Sequence, residues 1–241
     1  MGKVNTIETL GALDGPGIRT VIFFQGCHLR CSYCHNPDMW DLKGGQEVTA
    51  EQIGKLVKRY IPYYGDKGGV TFSGGDPLAQ PEFLLECLKV CKAIGVHTTL
   101  DTAGCGNGDY DEILKYTDLV ILDIKHENNE KYQKITGRNI DGYLKFKEAL
   151  IRNNTPIWIK HVVVPGLTDQ KTHIKALKKE IFSFKNILKV ELLPYHTMGT
   201  TKYENLGLAY KLKGYPEMDK DKLKTLQSMI LKSPIEFEED Q

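Results

Sequence analysis

The chain has 241 residues, 41% apolar and 26% charged, with 32 basic against 31 acidic side chains for a formal charge of +1. Basic residues are scattered through it, which excludes the electrostatic footprint of a nucleic-acid binder. No apolar run approaches a membrane span and no secretion-signal pattern stands near the start. The expected compartment is therefore a reducing cytoplasm, where clustered cysteines hold metal or do redox chemistry.

In chain order, β-branched apolar runs alternate with helical patterns. Strands are predicted over 20–25, 69–73, 97–101, 119–123, 157–163 and 188–193. Helices are predicted over 49–60, 81–94, 110–116, 142–153, 172–182 and 220–231. Thr49-Ala-Glu-Gln52 reads as a capping box, and Pro81 suits a first helical turn. Six strand–helix alternations predict a parallel α/β sheet with helices outside, either open or curled into a barrel. No linker or low-complexity tract divides the sequence, so a single domain over 1–241 is expected.

Polar residues gather where the predicted strands end: Gln25-Gly-Cys27, Ser73-Gly-Gly-Asp76, Asp101-Thr-Ala-Gly104, Asp123-Ile-Lys125 and Pro194-Tyr-His196. In parallel α/β folds the carboxyl ends of the strands carry ligands and catalysis. The rim is therefore the expected site.

Three of the six cysteines, Cys27, Cys31 and Cys34, fall within eight residues just after the first predicted strand. Zinc would take a fourth ligand, for which His28 or His35 is available by counting. However, no second short hook follows. A four-iron cluster fits better, since three thiolates leave one iron open for a cofactor. Cys87 and Cys91, four apart on an apolar helical pattern, read as buried core residues. Cys105, in a glycine-rich rim loop, reads as an exposed free thiol without a role.

Cys27-x3-Cys31-x2-Cys34, with Tyr33 before the last cysteine, resembles the signature of radical S-adenosylmethionine (radical SAM) enzymes. The stretches Asp14-Gly-Pro-Gly-Ile-Arg19, Cys34-His-Asn36, Ser73-Gly-Gly-Asp76, Asp123-Ile-Lys125, Val162-Val-Val-Pro-Gly166 and Leu192-Leu-Pro-Tyr-His196 resemble, in order, the motifs of pyruvate formate-lyase activases. One departure is Asp76, where that family usually has Glu. Restoring Glu there is expected to be tolerated.

The resemblance implies a partial (β/α)6 barrel like an incomplete TIM barrel, one [4Fe–4S] cluster on Cys27, Cys31 and Cys34, and S-adenosylmethionine. It also implies reductive cleavage of that cofactor to a 5′-deoxyadenosyl radical, which removes a hydrogen atom from a glycine of a protein substrate. Cofactor contacts are expected from Tyr33, His35, Asn36, Gly75, Asp123, Ile124, Lys125 and His196. A monovalent cation is expected at Asp101, Thr102 and Asp123, although two rim aspartates would equally suit magnesium or plain hydrogen bonding. Asp14 is a candidate contact for the substrate peptide. No acid–base pair is required, because hydrogen-atom transfer depends on proximity.

The implied partners are a glycyl-radical enzyme, above all pyruvate formate-lyase, and a flavodoxin or ferredoxin as electron donor, with the chain itself a monomer. The remaining alternatives are activation of a different glycyl-radical enzyme, or chemistry on a small molecule. Activases of other glycyl-radical enzymes often carry a ferredoxin-like insert, which is missing between Cys34 and the helix predicted at Thr49.

Overall fold

The structure, a computed structural model, describes residues 1–231. It opens on β1 (Gly2–Gly11), antiparallel to β2 (Arg19–Phe24), while β3 (Gln46–Val48) pairs with the other side of β1. From β2 onward the strands run parallel in sheet order: β4 (Gly69–Gly74), β5 (His97–Thr102), β6 (Leu119–Asp123), β7 (Ile157–Val163) and β8 (Ile187–Pro194). The sheet does not close on itself. β3 and β8 are its two edges, so the six parallel strands make the predicted partial barrel.

Helices connect the strands: α1 (Ala50–Tyr64), α2 (Pro81–Ala93), α3 (Tyr110–Lys115), α4 (Asn129–Thr136), α5 (Asp141–Asn153), α6 (Lys171–Ile181), α7 (Thr200–Asn205) and α8 (Lys220–Leu231). The capping box predicted at Thr49 is present. The Thr49 hydroxyl accepts from Gln52 N at 3.2 Å, and the Gln52 side chain accepts from Thr49 N at 2.8 Å. α1 runs four residues past its predicted end, through Pro62, and stops at Gly65. β1, β3, α4 and α7 were not foreseen in the sequence.

Strand periodicity sorts the side chains. In β7, Ile157, Ile159, His161 and Val163 are buried while Trp158, Lys160 and Val162 are part-exposed, the alternation expected of a pleated strand. The helix-facing side builds one core in which Ile22, Phe24, Phe72, Leu100 and Leu122 join Ile53, Val57, Leu84, Leu88 and Phe146. Each such side chain contributes about 1.5–3 kcal/mol on burial. Cys87 and Cys91 are fully buried in this core, as their helical spacing predicted.

Inside the curl, Arg19 is completely buried. Its guanidinium donates to the Thr71 hydroxyl at 2.6 Å, Val70 O at 2.7 Å, the Thr99 hydroxyl at 2.8 Å and Pro16 O at 2.9 Å. Thr71 and Thr99 stand two residues before Ser73 and Asp101 on the same strands. Arg19 is therefore the floor beneath the residues at the carboxyl rim. Burial lowers its pKa to about 10, so it keeps its charge near neutrality.

Candidate active site

The rim encloses a cavity of about 320 Å³. The cysteine loop that forms one wall follows β2 and is held by backbone before any side chain acts. Gly26 N donates to Met39 O at 2.9 Å, and Asp76 N donates to Gly26 O at 2.9 Å. A Cβ on Gly75 would lie 2.2 Å from Gly26 O and 2.7 Å from Met39 O, and Gly74 has φ +116. Only glycine permits this approach and this backbone conformation. The Gly-Gly turn after β4 therefore seats the cysteine loop directly, a packing role in addition to the cofactor contact expected of Gly75.

Two elements that the sequence did not reveal fix the rest of the loop. At the end of α4, Thr136 O and Ile135 O accept from Arg30 N at 2.7 Å and Ser32 N at 2.9 Å. From α7, Tyr203 donates its hydroxyl to Cys34 O at 3.0 Å. Lys202 Nζ reaches Asn36 Oδ1 at 2.8 Å and Asp38 Oδ1 at 3.0 Å. Arg30 donates to Cys27 O at 2.6 Å and lies over the Trp40 ring at 5.1 Å.

Cys27, Cys31 and Cys34 all line the cavity as free thiols. Burial pushes Cys31 up to about 12 and raises Cys27 and Cys34 as well. Thiolates here therefore need a bound cation beside them. A single tetrahedral zinc would hold its sulfurs about 3.8 Å apart, given Zn–S bonds of about 2.3 Å. Among the described residues, neither these three thiols nor any pair of them with His28 or His35 brings its ligand atoms within 4.8 Å of one another. Three free thiols lining one cavity are the donor set of a four-iron cluster that leaves one iron open. Cys105 is half-buried rather than exposed, packed on the patch formed by Cys27, Leu29, Cys31 and Ala103. Burial pushes its thiol up to about 11.

Opposite the cysteines, Lys125 Nζ lies 2.5 Å from Asp123 Oδ2 and 5.4 Å from the centre of the Tyr33 ring. Burial disfavours the ammonium, but the fields of Asp123, Tyr33 and Cys31 outweigh it and hold its pKa well above the usual lysine value. Asp123 Oδ1 and the Tyr33 hydroxyl are buried without a partner among the described residues. A buried unsatisfied polar atom costs about 1–3 kcal/mol, so these two atoms mark where a bound polar group belongs. Asp101 accepts from the Ser73 hydroxyl at 3.2 Å and has Lys160 Nζ at 3.9 Å. Burial raises its pKa against the pull of Lys160.

Asp14, His35, Asn36, Gly75, Asp101, Thr102, Asp123 and Lys125 all reach the cavity. Two expected residues stand apart from it. Ile124 is wholly buried in the hydrophobic core, with its N–H on Lys160 O and its carbonyl on His161 Nδ1. His196 stacks on His35 with centroids 4.1 Å apart, and His35 Nε2 lies 3.1 Å from His196 O. Thr102 spends its hydroxyl on Asp76 Oδ1 at 2.7 Å and accepts from Gly104 N at 2.9 Å. The Asp76 carboxylate is turned inward, accepting also from Leu78 N and Ala103 N, both at 3.1 Å. The reach lost relative to Glu is thus spent on joining the ends of β4 and β5. Sequence reasoning placed Ser73 at the rim and missed Lys160 and Trp40 as lining residues. For Lys160 the signal was available in the alternation of β7, where a lysine on the inward face has no solvent to serve.

Comparison with known proteins agrees with this geometry. The family model of the radical SAM superfamily matches residues 21–177. The pyruvate formate-lyase-activating enzyme of Clostridium pasteurianum is 54% identical over 95% of this chain and 97% of its own length. Its counterpart in Staphylococcus epidermidis is 44% identical over 92% of each. Among solved structures, a domain of a pyruvate-formate lyase-activating enzyme from Bacteroides vulgatus superposes with a TM-score of 0.56 at 23% identity. That match covers 68% of this chain and 93% of the other. Streptococcus suis SuiB bound to its precursor peptide gives 0.63 at 15% identity, over 88% of this chain and 44% of the other. The chain belongs to the radical SAM superfamily and, within it, to the pyruvate formate-lyase-activating enzymes.

Proposed function

We infer that this chain is an enzyme that activates pyruvate formate-lyase by generating a radical on one of its glycines. The observation that carries the chemistry is three thiols from one short loop facing the same cavity as the Asp123–Lys125 pair and its unpartnered oxygen. The relatives supply the identity of the protein substrate. With a [4Fe–4S] cluster on Cys27, Cys31 and Cys34 and S-adenosylmethionine bound, the site has the single electron and the cleavable sulfonium from which hydrogen abstraction at a glycine α-carbon follows.

The chain's own residues then bind, orient and exclude water. Lys125 offers a fixed cation for a carboxylate or a ribose hydroxyl. Tyr33 offers a ring face and a free hydroxyl, and Asn36 and His35 stand beside it on the loop. Asp123 Oδ1 and Asp101 offer hard oxygens for a monovalent cation. Leu29, Ala103, Val162 and Leu193 line the cavity with apolar surface that displaces water from a reactive centre. Asp14, which lines the cavity and whose carbonyl accepts from the Thr71 hydroxyl at 2.7 Å, is the candidate contact for an incoming peptide.

We propose further that the whole chain, 1–241, works as one radical SAM domain, although its last ten residues lie outside the described ones. We also propose a monomer in the cytoplasm that takes electrons from a flavodoxin or ferredoxin. The family resemblance and six unpaired cysteines support these readings. Among the described residues no helix is long and apolar enough to cross a membrane.

The test is anaerobic reconstitution with iron and sulfide, then reductant, S-adenosylmethionine and purified pyruvate formate-lyase. A glycyl radical signal and 5′-deoxyadenosine are expected from the wild type and from Cys105→Ala, each holding about four irons. Cys31→Ala is expected to lose both products and the cluster. Radical formation by Cys31→Ala, or cluster loss in Cys105→Ala, would refute the three-cysteine assignment.

A further inference from the structure

On the helix-facing side of the sheet, away from the cavity, three histidines and a glutamate converge. His126 and Glu127 follow β6, His161 lies in β7 and His173 in α6. All three histidines are at least 97% buried. Among the described residues, His126, Glu127 and His173 form the one group of ligand-type side chains whose donor atoms lie within 4.8 Å of one another.

The hydrogen bonds dictate where the ring protons sit. Ile124 O, which can only accept, is 2.6 Å from His161 Nδ1, so that nitrogen carries hydrogen. His161 Nε2 and His173 Nε2 are 3.1 Å apart, so one of them carries hydrogen and the other accepts. His126 Nδ1 is without hydrogen, because it accepts from Asn128 N at 3.0 Å.

Two ring nitrogens face one carboxylate oxygen. Glu127 Oε2 lies 3.1 Å from His126 Nδ1 and 3.2 Å from His173 Nδ1. His173 Nδ1 and Glu127 Oε2 are buried and unpartnered. Three ligand-type atoms thus crowd together, two of them buried and unpartnered, and one cation among them satisfies all three. The spacing suits one. Bonds of about 2.0–2.1 Å at tetrahedral angles place ligand atoms about 3.3 Å apart.

We propose that His126, Glu127 and His173 bind a divalent transition-metal cation of the zinc class, separate from the cysteine centre. Two imidazoles and a carboxylate are a zinc-type donor set, with water completing four-coordination. Glu127 is 18% exposed and gives the path in. His126 exchanges its contact with Asn128 N for the metal. His161 supports the site from behind: it takes the other ring hydrogen of His173 and passes its own to Ile124 O, the arrangement that orients a metal-bound histidine. The bound ion clamps the segment after β6, which carries Lys125 and follows directly on Asp123, to α6. The proposal is independent of the radical chemistry.

The test uses the cluster-loaded protein, anaerobically, with one equivalent of zinc sulfate followed by desalting. About one zinc per chain is expected, with iron content unchanged. Zinc-edge X-ray absorption should show only nitrogen and oxygen neighbours at about 2.0–2.1 Å. His173→Gln and Glu127→Gln should each weaken zinc binding at least about tenfold. Zinc should raise the melting temperature of the wild type and leave those variants unmoved. No retained zinc, sulfur neighbours at about 2.3 Å, or unaltered binding in both variants overturns the site. The absorption result on the wild type decides the matter even where a variant fails to fold.

Discussion

At the scale of single residues, Asp76 carries a measurable signature. Burial pushes its carboxyl from 3.8 up to about 6 despite three accepted hydrogen bonds. The folded chain therefore holds this proton more tightly than the unfolded chain does. The group contributes most below about pH 4, and its contribution is lost as pH rises through about 6. The difference is about 3 kcal/mol. Urea unfolding of wild type and Asp76→Asn across pH 4 to 7 should show the wild type losing stability relative to the variant over that window. A parallel pH dependence would contradict the burial argument. The cysteines, the rim aspartates and Lys125 were legible because their spacing and strand-end positions are properties of sequence. Arg19 and Lys160 were not, because which side chains face inward depends on how the sheet curls.

Among the elements, the strongly periodic ones were read from the sequence to within a few residues. The four that were missed have physical reasons. β3 is three residues long, and β1 has polar Asn5, Thr6 and Glu8 along a half-exposed face. α4 and α7 have eight and six residues, and the two together bury four side chains. Yet these last two brace the cysteine loop, so the least legible helices are the ones that shape the centre. For a helix with local signals, the cap at Thr49 is separable from packing. Thr49→Ala should cost about 1 kcal/mol, a fall of about 2–4 °C in melting temperature for a chain of this size. A thermal melt showing no change would mean that α1 is held by its buried face alone.

Taken whole, the molecule is a sheet with two free edges, and one of them is protected in a specific way. Gln227, on α8, accepts from Leu192 N at 2.7 Å and donates to Val190 O at 3.1 Å. One side chain thus occupies backbone groups of β8 that another strand would otherwise take, and the Lys189–Glu191 pair adds charge to the same edge. Gln227→Leu should raise concentration-dependent association, measured by light scattering, and lower stability by about 1–3 kcal/mol. Unchanged scattering and stability would show that the edge needs no such cover.

Arg19 closes the opposite end of the barrel axis. Its fork ties β2 to β4 and β5 beneath the chamber, with no accessible surface of its own. The chamber therefore has no exit through that end. Whatever arrives there comes and goes without passing Arg19, by the carboxyl ends of the strands or by the side the sheet leaves open.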